Sequence, residues 1–432
     1  MEELEKETKE EKVKPKEVET GKVKTEKEKK KLTRKQWFLI FGIVALMIAA
    51  IGISIYFVTR DHGSKEEDPI VDEDPEPVVE NTSFSLIALG DALIHNGVYI
   101  DANTYQTGSD GYPIYDFTSM FTDVADIIKP YDLRFYNQET VIGGKKLGLS
   151  GYPNFNSPDE IGDDLTAIGF NIVNLASNHT MDVGVVGATY SANYWHSKKD
   201  VLAVGSYTSK EQRDNIEIRE KNGIKYAVLS YTYGTNGIPV PDGYEYLVNV
   251  WPTESDAQFE AYKEQVKSDV ESVKDKVDVL MVSMHWGTEY QLGTYNSYQT
   301  ESAEYLSSLG VDVIIGTHPH VVQPIEYIGD TLVIYSLGNM ISAQDSLMKR
   351  IGGVAAFTVN KKTVDGKTES VTVDNVKADL VYTYYNNFQN FKVIPFTKLN
   401  DSLLYDYRNI YQTYKAYLNP KNDSRIQVGF IE

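Results

Sequence analysis

Histidine is scarce in this 432-residue sequence, and its placement is informative. Of seven histidines, five (His95, His179, His285, His318 and His320) stand at or just after the ends of short apolar runs, whereas His62 and His196 do not. Asp91, Glu139 and Asn178 occupy the same kind of position. Imidazole, carboxylate and amide oxygen together make a ligand set for Zn, Mn or Fe. In His318-Pro319-His320 two imidazoles are separated by one residue, so each can face a different ion of a close pair. A two-metal centre with a bridging carboxylate suits phosphoryl transfer, because it activates water and steadies both oxygens of an in-line displacement. Asn178-His179 then suggests an amide ligand beside a general acid that protonates the leaving oxygen. A lone histidine is usually a satisfied polar residue. Five in equivalent places, alongside two carboxylates and an amide, point to one shared site.

Such a site needs a scaffold that brings distant segments together. The apolar run 85–89 ends at Gly90-Asp91, 133–136 at Asn137-Gln138-Glu139, and 172–176 at Ser177-Asn178-His179. The run 277–284 ends at His285-Trp286, 311–315 at the His318-Pro319-His320 loop, and 332–335 at Ser336-Leu337-Gly338-Asn339. Runs of this length, rich in Val and Ile, read as buried strands. Helix-like stretches at 117–128, 158–168, 185–197, 255–274 and 297–309 lie between them. Strand, polar loop and helix in alternation are α/β organisation, and open α/β sheets gather ligand groups beyond the strand C-termini. From residue 346 the pattern turns β-rich, with turns at Asp365-Gly366 and Asn386-Asn387, and 346–432 is expected to pack on the same domain, pairing with the main sheet or forming a second one. The Tyr-rich stretch 401–418 is expected to be a helix that caps the core.

Composition bounds the partners. The chain has no cysteine, which excludes disulfides, thiolate metal sites and a cysteine nucleophile. Its net charge of −20 argues against a general nucleic-acid binder, since phosphates are neutralised by Lys and Arg. Residues 1–35 are mostly Glu and Lys and are expected to form a solvated cytoplasmic tail. From Trp37 to Val58 run 22 residues without a charge, enough as a helix to cross a hydrocarbon core of ~30 Å. Lys29, Lys30, Lys31, Arg34 and Lys35 precede this run, and an acidic, Pro-containing stretch follows it. The positive-inside rule therefore predicts a single span at 36–58, the tail inside and the rest outside the cell. A cleaved signal peptide is the competing reading, with a shorter apolar run and a small-residue cleavage motif as its marks. Residues 59–83 read as an acidic extracellular spacer. From Phe84 onward, 27 Lys and Arg stand against 43 Asp and Glu, a net −16.

Gly90-Asp91, Asn137-Gln138-Glu139-Thr140, the stretch 174–184 (Asn-Leu-Ala-Ser-Asn-His-Thr-Met-Asp-Val-Gly), His285-Trp286-Gly287-Thr288-Glu289-Tyr290, Gly316-Thr317-His318-Pro319-His320 and Tyr335-Ser336-Leu337-Gly338-Asn339 occur in this order. The set resembles the capsule-biosynthesis CapA family, also called PgsA, of poly-γ-glutamate synthesis, over about residues 84–345. That resemblance implies a layered α-β-β-α sandwich like that of calcineurin-type metallophosphoesterases. It implies a divalent pair (Mn, Zn or Fe), with Asp91 and His320 on one ion and Asn178, His285 and His318 on the other. Glu139 is then the bridge and His179 the acid. In the phosphoesterase pattern the first motif is Asp-x-His, whereas His95 follows Asp91 by four residues; the usual bridging residue is Asp, one methylene shorter than Glu139. His95 is thus expected as a ligand or a neighbour of ligands. The same holds for Glu289, placed to accept the other N–H of a ligating imidazole. Asp182 and Gly184 are read as shaping the turn after His179, and Lys145 and Lys146 as a solvated pair. The implied partners are the lipid bilayer, a poly-γ-glutamate ligase, an integral-membrane capsule subunit and an anionic polymer. Three functions stay open: a metal-dependent hydrolase serving capsule synthesis or export, a non-catalytic subunit that positions polymer, and a surface phosphoesterase unrelated to capsule.

Overall fold

The computed structural model describes residues 33–60, 76–253 and 258–431. Residues 1–32 of the expected tail and 61–75 of the expected spacer lie outside the described residues. The chain divides into two units, 1–75 and 76–432. In the first, a 27-residue helix spans Arg34–Arg60, and none of its side chains from Arg34 to Ser54 is buried. At 1.5 Å per residue it is about 40 Å long, so by length and composition it can cross a bilayer.

The second unit is built on two sheets. The first begins with β1 (Val79–Leu93). A small hairpin of β2 (Asn103–Thr107) and β3 (Pro113–Tyr115) follows. Next come β4 (Leu133–Asn137), β5 (Ile172–Asn174) and β6 (Leu202–Val204), which lie parallel in the order β1-β4-β5-β6. The chain then makes the second sheet from β7 (Arg219–Lys221), β8 (Ile224–Thr232), β9 (Val279–His285), β10 (Val313–Thr317), β11 (Ile325–Ile328) and β12 (Thr331–Ile334). Its order is β11-β12-β10-β9-β8-β7, with β8, β9, β10 and β12 parallel. Finally β13 (Asn339–Ser342), β14 (Ile351–Val364), β15 (Lys367–Asn386), β16 (Gln389–Pro395) and β17 (Ile426–Val428) return to the first sheet.

Alternation along the strands decides the layers. In β1, Phe84, Leu86 and Ala88 face the second sheet and pack with Val228, Met281 and Ile315. Ile87 and Leu89 face the other way, onto Val124, Ile161, Leu165 and Trp195 of the flanking helices. The second sheet does the same: Leu229, Leu280 and Val282 pack on Val266, Val270 and Leu306 of the helices Phe259–Val273 and Ser297–Ser308. The result is helix, sheet, sheet, helix, with the central parallel strands β4, β5, β9 and β10 buried on both faces.

β1 opens at Val79, within the stretch 59–83 read as spacer, because its first five residues pair antiparallel with β14. The C-terminal stretch completes the same sheet rather than forming another. β14 and β15 join through Asp365-Gly366, both at positive φ, the pattern an Asp-Gly hairpin turn needs. The helix Tyr407–Leu418 seals the inter-sheet core with Tyr414 and Leu418.

Candidate metal centre

The parallel strands of both sheets point their C-termini to one end of the sandwich, and the singled-out residues converge there. Asp91 lies near the end of β1, Asn137 and Asn174 end β4 and β5, His285 ends β9 and Thr317 ends β10. Asp91 pairs in register with Asn339 at the start of β13, and the Asp91 N–H donates to the Gly338 carbonyl at 2.9 Å. A Cβ on Gly90 would overlap that carbonyl, so only glycine permits this approach.

On the first sheet the oxygens are braced by amides. Ser230 of β8 hydrogen bonds to Asn174 Oδ1. Asn174 Nδ2 donates to Asn137 Oδ1 at 2.8 Å, and Asn137 Nδ2 donates to Asp91 Oδ1 at 2.8 Å. This relay runs through the core and ends on one oxygen of Asp91. Its other oxygen, Oδ2, and both oxygens of Glu139 are buried and accept no hydrogen bond. Imidazole nitrogens approach them nonetheless: His320 Nδ1 is 3.3 Å from Asp91 Oδ2, and His320 Nε2 and His285 Nε2 are 3.5 and 3.6 Å from Glu139 Oε1.

On the second sheet the imidazoles are held by packing. Tyr233, just beyond β8, lies parallel to His285 and tilts against His318, with ring centroids 6.4 and 4.7 Å away. His285 Nε2 is 2.8 Å from Asn178 Oδ1, and its Nδ1 is 2.9 Å from Thr317 Oγ1. His318 and His320 both take positive φ, 95° and 59°, sparsely populated for residues with a side chain and costly by roughly 1–3 kcal/mol each. His318 Nδ1 is buried without a partner.

Among the described residues the ligand atoms fall into three compact groups: Glu139 with His285 and His318, Asp91 with Glu139 and His320, and Glu289 with His318 and His320. Within each, the atoms lie no more than 4.8 Å apart, and Glu139 belongs to the first two. The electrostatics suit a site that receives positive charge. Burial pushes the Glu139 carboxyl well up, while burial and the neighbouring imidazoles push His285 and His318 well down. Burial opposes protonation of His320 too, but Glu139 and Asp91 outweigh it and push this imidazole up to about 9. Unpaired buried carboxylate oxygens beside neutral imidazoles are costly alone and become ligands when cations arrive. The donor set therefore fits a divalent pair.

His179 stands at the edge of this centre. Its Nδ1 is 2.7 Å from Asp182 Oδ2, and the Phe155 N–H donates to the same oxygen at 2.7 Å. Asp182 thus does more than shape a turn: it orients the imidazole. His95 is set apart, its Nδ1 3.1 Å from the Leu93 carbonyl and its ring edge-on to Phe155. Burial pushes it down to about 4, and among the described residues no ligand group includes it. Glu289 is exposed, with Oε1 3.9 Å from His320 Nε2. Lys145 is ion-paired to Glu160 at 2.5 Å.

Sequence reasoning missed Asn137, Asn174, Tyr233, Asn236, Thr317 and Asn339 as site residues. For Asn137, Asn174, Asn339 and Thr317 a signal existed, since each closes or opens a strand near a chosen residue. Tyr233 and Asn236 follow β8, a strand whose end carries no histidine or acid and so drew no attention. Asn236, at φ 50°, reaches Asn178 Nδ2 at 3.1 Å with its Oδ1.

Comparison with known proteins adds a family. The model of the bacterial capsule synthesis protein PGA_cap matches residues 85–344. The chain is 27% identical over 356 residues to the PGA biosynthesis protein CapA of Bacillus subtilis (strain 168), covering 80% of this chain and 82% of the relative. It is 25% identical over 334 residues to the capsule biosynthesis protein CapA of Bacillus anthracis, covering 73% and 74%. Among solved structures, the calcineurin-like phosphoesterase YfkN from Bacillus subtilis aligns with 70% of this chain and 91% of its own, at 14% identity and a TM-score of 0.36.

Proposed function

Because this chain belongs to the bacterial capsule synthesis protein family PGA_cap, we propose that it is a membrane-anchored, extracytoplasmic subunit serving synthesis or export of an anionic capsule polymer of the poly-γ-glutamate type, and that it carries a metal-dependent hydrolytic site. The observation that supports the site most is Glu139: a fully buried carboxylate with no hydrogen bond on either oxygen, shared by two ligand groups.

In this reading Asp91 and His320 would hold one ion, Asn178, His285 and His318 would hold the other, and Glu139 belongs to both groups of candidate ligands. A bound divalent pair would activate water and neutralise charge on a phosphoester or amide-like group. The chain's own residues do the rest. The Asn174–Asn137 relay fixes Asp91, so its Oδ2 is aimed before any ligand arrives. Asp182 holds the His179 ring by Nδ1 and leaves Nε2 to deliver a proton to the leaving atom. Tyr233 covers His285 and His318 and keeps bulk water from them. The helix Arg34–Arg60 is the anchor, with its basic flank in the cytoplasm and the acidic spacer outside. A ligase and an integral-membrane subunit are the proposed neighbours there.

The test is metal stoichiometry by mass spectrometry on the full chain in detergent, beside a His318→Ala, His320→Ala variant. One or two Mn or Zn per chain, lost in the variant, is the expected result. No retained ion after loading would overturn the metal reading and leave a subunit that only positions polymer.

A further inference from the structure

We propose that Lys349 recognises a second anionic group of the substrate, a carboxylate or phosphate lying beside the metal centre rather than in it. The proposal rests on the metal-dependent reading of the site and names the chemistry its substrate must carry.

Among the described residues Lys349 has no carboxylate within ion-pair distance, although it is half-buried at the edge of the centre. It is held there by a closed ring of contacts. Its Nζ lies 4.8 Å from the centroid of the Tyr290 ring, and that ring is 6.1 Å from the His320 ring. Gln344 Nε2 donates to the Tyr290 hydroxyl at 3.2 Å. Asn339 Nδ2 donates both to Gln344 Oε1 at 2.9 Å and to the Lys349 carbonyl at 2.8 Å. Asn339 Oδ1 in turn is 3.0 Å from His320 Nδ1. One amide side chain therefore holds a metal-centre imidazole and the backbone of this lysine at once.

Tyr290 is itself fixed, at φ 67° with its N–H donating to the Pro319 carbonyl at 2.8 Å, inside the His318-Pro319-His320 loop. The neighbouring Arg350 makes the contrast. Its guanidinium donates to the Thr383 and Tyr385 carbonyls and stacks on Tyr385, so the fold holds its head group in place. Lys349 keeps its ammonium donors for a ligand. The exposed Glu289 carboxylate faces His320 at 3.9 Å and forms no ion pair with Lys349. An ammonium so placed suits a negatively charged polymer or a nontransferred phosphate, which the chain's net charge of −20 would otherwise repel.

The experiment compares full-length wild type, Lys349→Gln and Lys349→Arg in detergent, loaded with Mn. Binding of a γ-linked glutamate oligomer and of pyrophosphate is measured by calorimetry, with Mn per chain measured in parallel. We expect Lys349→Gln to weaken at least one probe by about tenfold or more, the size of a lost charge-assisted hydrogen bond. Lys349→Arg should restore most of it, with Mn per chain unchanged in both. Loss confined to the oligomer assigns a carboxylate, and loss confined to pyrophosphate assigns a phosphate. The proposal is overturned if Lys349→Gln binds both probes as wild type does, if wild type binds neither, or if the substitution lowers bound Mn. Failure of wild type to retain Mn would instead count against the metal reading.

Discussion

The two sheets meet at the same end of the molecule but hold their functional atoms differently. The first sheet contributes oxygens, and it positions Asp91 by a relay of buried side-chain hydrogen bonds that begins on the second sheet at Ser230. The second contributes imidazoles, positioned by ring packing and by two left-handed backbone residues in one loop. The difference follows from shape. The Asp91 carboxylate is a short rotor that packing alone does not aim, and a donor holds one of its oxygens. An imidazole is a flat plate with two fixed nitrogens, and a neighbouring ring sets its plane. The oxygen side should therefore be sensitive to the loss of distant donors, and the imidazole side to changes in contact surface.

The largest effect is expected where the two sides meet. Glu139→Ala removes the only carboxylate common to the Asp91–His320 and His285–His318 groups. Both ions should be lost or bound far more weakly, whereas His285→Ala should remove one. Metal per chain by mass spectrometry separates these outcomes, and full retention in Glu139→Ala would break the picture of a shared ligand.

Next in size is His179→Ala. If its imidazole acts on the leaving atom, turnover of a generic phosphodiester should fall about 10²–10⁴-fold with metal content unchanged. An equal fall in metal content would move His179 from proton transfer to ion retention. Unchanged activity in cells with an assembled complex would favour a positioning role for the whole subunit.

Much of this site could be read from residue type and place. Asp91, Glu139, Asn178, His285, His318 and His320 each follow an apolar run, and the strand-end rule for α/β sheets predicts their convergence. His95 obeyed the same rule and yet lies outside the ligand groups. Four residues beyond Asp91 it already opens a short helix, Asn96–Asp101, and its Nδ1 turns back to the Leu93 carbonyl. Position in sequence registers a strand end but not the direction a side chain takes after it. The start of β1 at Val79 was illegible for a different reason. Its first residues gain their structure from β14, some 280 residues later, and nothing local distinguishes them from a polar linker. Asp182 and Asn137 were visible as residues but not as partners, because a hydrogen-bond partner across the fold leaves no local periodicity.

The brace itself gives the next test. Asn137→Ala takes the donor from Asp91 and the acceptor from Asn174, both buried. Partners of ligating groups typically cost 10–100-fold in metal affinity, so a drop of roughly that size is expected for the Asp91–His320 ion. The orphaned amide should also lower stability by about 1–3 kcal/mol, read as a fall in the thermal midpoint. Loss of affinity without loss of stability would show that the relay aims Asp91 but does not hold the sheets.

The smallest effect belongs to the matching position on the imidazole side. Thr317→Val keeps the volume at the end of β10 and removes only the hydroxyl 2.9 Å from His285 Nδ1. His285 would still be clasped by Tyr233 and His318 and would still face Asn178. If packing aims the ring, metal affinity should fall by less than about tenfold, below the usual range for such partners. Competition with a calibrated chelator resolves that difference. A loss as large as that of Asn137→Ala would mean that the imidazoles, like the carboxylate, depend on their donors, and the contrast between the two sheets would disappear.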